Sequence, residues 1–245
     1  MKRFWEVDFV RGLAVVLMIF YNWSYTLRFL DIYHIVDKSN SLYWQIFPII
    51  ITSTFLFIAG ISLSISWNRF QKTGIPKWKK YGSRGIKILG YGLTITLATL
   101  FFYPENFIFY GILHLIGTTI LLSPLVIDDW KKSLTATIII ISSSLLIQKP
   151  VSDSLTTAAI GITQPNFQTL DYFPLIPYSA IIFLGLTLGH LTYPQGMRRK
   201  QIQKIQKLQP KNQLIQKTGQ HTLKIYLLHQ PLLITLLTIL GHTTL

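Results

Sequence analysis

Asp8-Phe9-Val10-Arg11-Gly12-Leu13-Ala14-Val15-Val16-Leu17-Met18-Ile19-Phe20 places an acid and a base at i, i+3 on the opening turn of a largely apolar run that reaches Leu30. Ionisable side chains inside such a run are costly in hydrocarbon and commonly functional. This stretch therefore decides the fold class and shows where to look for chemistry. Composition agrees: 50% of the 245 residues are hydrophobic, only 13% are charged, and the mean hydropathy is +0.41. Those values describe an integral membrane protein.

Apolar stretches long enough to cross about 30 Å of hydrocarbon, roughly 20 residues each, recur near 8–30, 46–67, 84–103, 109–127, 133–148, 174–193 and 222–244. The fifth is short and rich in Ser and Thr. None shows the alternation of barrel strands, so helices are required. The first run is expected to be an uncleaved helix and not a signal peptide: Glu6, Asp8 and Arg11 interrupt its start, and bulky Tyr21, Asn22 and Trp23 stand where small residues would be needed.

Short cytoplasmic loops carry the excess of Lys and Arg. With the N-terminus inside, only Arg28, Lys38 and Lys149 of the 23 Lys and Arg fall outside. The expectation is an all-α, polytopic integral membrane protein of the cell membrane, with about seven transmembrane helices, a cytoplasmic N-terminus and an external C-terminus. The net charge of +14 then belongs to the inner face, where it meets anionic lipid headgroups or an anionic cytosolic ligand. Nucleic acid is not needed to explain it. There is no cysteine, which removes thiolate nucleophiles and Cys-based metal sites.

No Pro/Gly/Ser linker and no internal repeat divides the chain, so residues 1–245 are expected to form a single domain. Ile202, Ile205 and Leu208 recur every three residues among Lys and Gln, which predicts an interfacial amphipathic helix near 198–209, stopped by Pro210. On the outer side, 31–45 and the rigid Asp171-to-Tyr178 segment, with Pro174 and Pro177, could shape a pocket rim.

Counting along the expected spans sorts the polar residues into two tiers. Asp8, Arg11, Arg84 and Lys87 lie toward the cytosol. Asn22 and His114 fall in the outer half, His34 follows in the first external loop, and His229 sits nearer the inner side of the last span. Asp8 and Arg11 either neutralise one another or leave Arg11, with Arg84, to reach a phosphate. His114 has no companion at metal-ligand spacing, so no metal is expected. His34, beside Tyr33 and between Asp31 and Asp37, could titrate near neutrality.

Five blocks in order carry a resemblance: Glu6 to Val15, Phe57-Ile58-Ala59-Gly60-Ile61-Ser62, Gly111-Ile112-Leu113-His114-Leu115-Ile116-Gly117, Asp171 to Pro177, and Gly219 to Pro231. The chain resembles small prokaryotic members of the heparan-alpha-glucosaminide N-acetyltransferase family from residue 3 to residue 235. That resemblance implies a transmembrane acyltransferase that takes acetyl from cytosolic acetyl-CoA and delivers it to an amino sugar, glycan or glycolipid on the far side. The family's catalytic His, in the first non-cytosolic loop, corresponds to His34, and the Asn that assists it to Asn22.

His114 is a competing catalytic candidate. Arg11, Arg84, Lys87 and His229 are the candidates for holding the acyl-CoA. The expected partners are the bilayer, acyl-CoA and the sugar acceptor, with a homo-oligomer compatible and no nucleic acid. A small-solute transporter or channel, its path lined by the same polar groups, is the alternative.

Overall fold

The computed structural model describes residues 3–33, 36, 40, 42–146, 155–164, 167–210 and 212–241, and among them it is helical throughout, with no strand. The elements are α1 (Trp5–Phe29), α2 (Phe47–Phe70), α3 (Lys77–Phe102), α4 (Ile112–Leu122), α5 (Trp130–Leu146), α6 (Leu155–Ala158), α7 (Leu175–Thr192), α8 (Leu214–Gln220) and α9 (Thr222–Ile239). A π-helical stretch, Leu42–Ile46, runs directly into α2. In hydrocarbon the backbone must satisfy its own polar groups, which only continuous helix does for runs this apolar.

Among the described residues five helices are long and apolar enough to cross a membrane: α1, the continuous Leu42–Phe70 segment, α3, α7 and α9. This is a multi-pass membrane protein. The other two expected spans are shorter. The fourth is an 11-residue α4 followed by a 3-10 turn at Ser123–Leu125, where Pro124 has no N–H to extend the α ladder. The fifth, α5, has 17 residues.

Breaks between helices follow local chemistry. Gly74 takes the left-handed conformation (φ 73°) after the 3-10 turn Gln71–Thr73, and Pro76 stands immediately before α3. Within the 198–209 segment the chain forms a 3-10 helix, Lys200–Leu208. Three residues per turn is the period at which Ile202, Ile205 and Leu208 share one face, so the spacing that suggested amphipathicity fits this tighter coil. Ile202 and Ile205 are half-buried, whereas Leu208 is exposed.

The residues divide into two compact units, Met1–Ile58 with Gln201–Leu245, and Ala59–Lys200. In the first, α1 packs on α8 and α9. Gly12 and Gly219 make the closest approach: a Cβ on Gly219 would overlap the Asp8 carbonyl oxygen, and one on Gly12 the Ile215 carbonyl oxygen. Small residues at such crossings let backbones meet without a side chain between them. Contacts run in the same order along both chains, Asp8 to Gln220, Asn22 to His229 and Thr26 to Gln230, so α1 and the α8–α9 arm are parallel.

In the second unit α3 packs on α4, α5 on α7, and α4 on α7. Its core includes fully buried Leu63, Tyr81, Leu115, Ile182 and Leu186. Polar side chains are paired across the crossings: Ser133 and Thr187 hydroxyls lie 2.9 Å apart between α5 and α7, and Asn68 Nδ2 donates to the Tyr193 carbonyl at 2.9 Å. Lys77 and Asp128 form an ion pair.

Candidate functional site

At the start of α1, Arg11 Nη1 donates to Asp8 Oδ1 at 3.2 Å and to the Gly219 carbonyl at 3.3 Å, and Gln220 Nε2 donates to Asp8 Oδ2 at 3.4 Å. The acid and base read from the sequence are thus a half-buried ion pair that also ties α1 to α8. A carboxylate buried to this degree needs such partners, since each unsatisfied polar group would cost about 1–3 kcal/mol. Eleven residues further along α1, roughly 16 Å by helical rise, stands the second cluster.

There Asn22 Nδ2 and His229 Nε2 are 3.1 Å apart, and His229 Nδ1 is 2.6 Å from the Tyr226 carbonyl oxygen. One turn beyond, Gln230 Nε2 donates to Thr26 Oγ1 at 2.7 Å. Asn22 is half-buried and His229 buried. Counting from the start of the last span had set these two residues at different depths. The structure joins them because α8 already occupies the level of the first turns of α1, so α9 begins deeper than its first residue suggested.

Aromatic side chains collect beside this cluster. Tyr21 meets Tyr25, Tyr43, Trp44 and Phe47 with ring centroids 5.7–6.4 Å apart, and the Arg28 guanidinium lies 4.4 Å from the Trp44 ring centroid. Such belts mark the membrane–water interface. The catalytic candidate His34 lies outside the described residues.

The second unit carries its own polar cluster around His114, which is buried on α4. Its imidazole lies against Gly92 of α3, where a Cβ would come within 3.0–3.1 Å of three ring atoms. Thr96, one turn along α3, donates its hydroxyl proton to the Ile108 carbonyl at 2.7 Å. The Thr96 oxygen can then only accept from His114 Nε2, over a long 3.4 Å. That chemistry leaves the proton on Nε2 and a lone pair on Nδ1, which has no hydrogen-bond partner among the described residues.

The α4 N-terminus is capped from far along the chain: Asp171 Oδ2 accepts from the Ile112 N–H at 3.1 Å. Desolvation raises the Asp171 carboxyl to about 6, against the lowering effect of that backbone bond. Backbone bonds from Leu170 to Asn106 and from Phe173 to Tyr110, with Thr169 donating to Phe107, hold the two loops together.

Arg84 and Lys87 are exposed on α3. With Lys80 they are spaced by four and three residues, and so share one helix face. The Lys80 ammonium reaches the Ser66 carbonyl at 3.4 Å and the Phe70 ring at 3.8 Å.

Of the candidate residues, the structure brings Asn22 and His229 together and sets Arg11 apart from them on the same helix. His114, Arg84 and Lys87 belong to the second unit. The reading of the sequence missed Gln220, Gln230, Thr26 and Thr96 as partners of these groups. Thr96 had a faint signal, standing four residues from Gly92 on one face of α3; the others had none.

A family model described as heparan-alpha-glucosaminide N-acetyltransferase, catalytic, matches residues 3–231. No curated protein and no solved structure matches the chain.

Proposed function

This chain belongs to the heparan-alpha-glucosaminide N-acetyltransferase catalytic family, and on that premise we propose that it is a membrane-embedded acyltransferase. It moves an acetyl group from cytosolic acetyl-CoA to an amino sugar, glycan or glycolipid on the extracytoplasmic side. The observation that carries this reading is the reach of the family match, residues 3–231, which takes in Asn22, His34, His114 and His229. The parallel course of α1 and α9 is in keeping with both helices crossing in the same direction.

In the proposed reaction the acceptor nitrogen or oxygen attacks the thioester carbonyl. The C–S bond then breaks, and the thiolate leaves as coenzyme A. The acceptor's proton passes to a neutral imidazole, for which a pKa near 7 is suited. His34, at the position of the family's catalytic histidine, is the assigned base. His114, with its Nδ1 lone pair, is the competitor that an assay must eliminate. Asn22 supplies amide hydrogen-bonding groups to the reacting centre. Arg84 and Lys87 offer charge-assisted bonds to the phosphates of the donor.

The test is release of free coenzyme A thiol from acetyl-CoA by purified protein, with and without glucosamine-containing acceptors. Acceptor-dependent release should fall about 10²- to 10⁴-fold in His34→Ala, the range for loss of a general base, with acetyl-CoA binding retained. Full turnover in His34→Ala together with loss in His114→Ala would move the base to His114. No binding or release with any acyl-CoA would overturn the acyltransferase reading.

A further inference from the structure

The His229 ring has one nitrogen facing a group that can only accept. The Tyr226 carbonyl oxygen, 2.6 Å from Nδ1, has no proton to give, so Nδ1 must carry one. In a neutral ring Nε2 then holds the lone pair. The atom 3.1 Å from it is the Asn22 amide nitrogen, which must donate. Were the ring charged, Nε2 would also be a donor, and the Asn22 amide would have to turn its oxygen inward. Tyr226, His229 and Asn22 therefore form a directed chain in which a backbone carbonyl selects the tautomer and the tautomer selects the face of the amide.

We propose that His229 is a positioning residue that fixes the orientation of the Asn22 carboxamide, holding Oδ1 and the second Nδ2 proton toward the reacting centre. The proposal rests on the acyltransferase reading and deepens it: His229 acts through Asn22 and not as a ligand of the acyl donor. The arrangement has a chemical consequence. An Asn side chain free to rotate presents oxygen and nitrogen interchangeably. With one N–H held by His229, Oδ1 is directed away from the ring, where it can accept an N–H or O–H of the attacking acceptor. The remaining Nδ2 proton can donate to the acyl oxygen as negative charge develops there. Neither group has to reorganise during the reaction, which is where preorganised dipoles gain their advantage over water. His229 is buried and Gly219 brings the α8–α9 arm against α1, so the orienting group is carried on packed helix, where such geometry is best kept.

The experiment has an arm that needs no activity. Purified full-length protein labelled with ¹⁵N only at its six histidines is observed by long-range ¹H–¹⁵N correlation, with His229→Gln identifying the His229 signals by subtraction. The expected result is a neutral ring protonated at Nδ1 and unprotonated at Nε2. In Asn22→Asp, whose carboxylate can only accept, His229 should become doubly protonated. A wild-type ring protonated at Nε2 alone, or charged, would overturn the proposal whether or not the protein transfers acyl groups.

The second arm is a double-mutant cycle on acceptor-dependent coenzyme A release. Asn22→Ala and His229→Ala should each lower kcat about a hundredfold, the scale of a misplaced group, with KM for acetyl-CoA unchanged. The double variant should be no worse than either single change, and His229→Gln, whose amide oxygen can still accept, should recover part of the rate. Additive losses, or a weakened acetyl-CoA Kd in His229→Ala, would overturn the positioning role. The predicted tautomer in a protein that releases no coenzyme A would instead count against the acyltransferase reading.

Discussion

His229 and His114 are equally buried, at 8% and 7% exposure, yet they are bonded in opposite senses. His229 has both nitrogens engaged: Nδ1 gives its proton to a carbonyl at 2.6 Å and Nε2 receives one from Asn22 at 3.1 Å. His114 gives Nε2–H to a threonine oxygen at 3.4 Å and keeps an unoccupied Nδ1 lone pair among the described residues. Burial alone would rank them alike as catalytic candidates. Hydrogen-bond accounting separates a ring suited to orienting a neighbour from one with a lone pair to offer.

The two clusters also differ in what holds them. The first depends on backbone meeting backbone at Gly219, the second on a ring lying over Gly92. A matched pair of substitutions should separate these cases most widely. Gly219→Ala sets a methyl against the Asp8 carbonyl oxygen, which cannot move without shifting α1. Its cost should lie at or above the usual overpacking range of about 1–3 kcal/mol, seen as a large drop in Tm in detergent and as loss of the Nδ1-protonated His229 signal. Gly92→Ala meets only the rim of a ring, and Ala in a helix gains about 1 kcal/mol over Gly. The two effects should nearly cancel, leaving Tm almost unchanged. Equal losses in the two variants would show that α1 and α8 are not held by close backbone contact.

A smaller effect is expected where the His114 bonding is longest. Thr96→Val removes the acceptor for Nε2–H and the donor to Ile108. Two groups lose partners, but one bond was already long, so the cost should be about 1–2 kcal/mol, near the lower part of the range for buried unsatisfied groups. Thermal unfolding checks it. If Thr96→Val is neutral, the Nε2–H assignment for His114 fails.

The last effect belongs to Asp171 and depends on pH. Its folded pKa, about 6, exceeds the ordinary value of 3.8. For an acid this means that the folded state holds the proton more tightly than the unfolded one. Its contribution to stability is therefore complete below pH 3.8 and is lost as pH rises through about 6. The loss can be at most about 3 kcal/mol by linkage, and less because Asp171 keeps some solvent contact. Asp171→Asn retains an oxygen for the Ile112 N–H and removes the titration. It should flatten Tm against pH across that window and be the more stable variant at pH 7. Wild-type and variant curves that run parallel would show that Asp171 is not perturbed.

Much of this is legible in the amino-acid sequence. Apolar runs of the right length gave the helices, and α1, α3, α7 and α9 start or end within a few residues of the expected bounds. Asp8 and Arg11, one turn apart, pair as local helix geometry requires. The expected seven spans came from hydropathy; among the described residues five helices meet both length and composition. α4 is short because a proline at 124 and the turn that follows it end the α ladder. The period of three in Ile202, Ile205 and Leu208 did not reveal that Lys200–Leu208 takes the 3-10 form.

Sequence alone determined that the chain is helical, membrane-spanning, strongly basic and collinear with a family of acyltransferases. These properties are sums over local windows, and hydrophobicity and helical period need no knowledge of neighbours. Only the tertiary structure decided which polar groups complete one another: Asn22 with His229 across 207 positions, Thr96 with His114, and Asp171 with the Ile112 N–H. The physical reason is that a hydrogen bond acts over about 3 Å, so its partner depends on which helices pack together and in what register. That register was set in the first unit by two glycines that let α1 and α8 touch, a fact with no signature in either helix taken by itself.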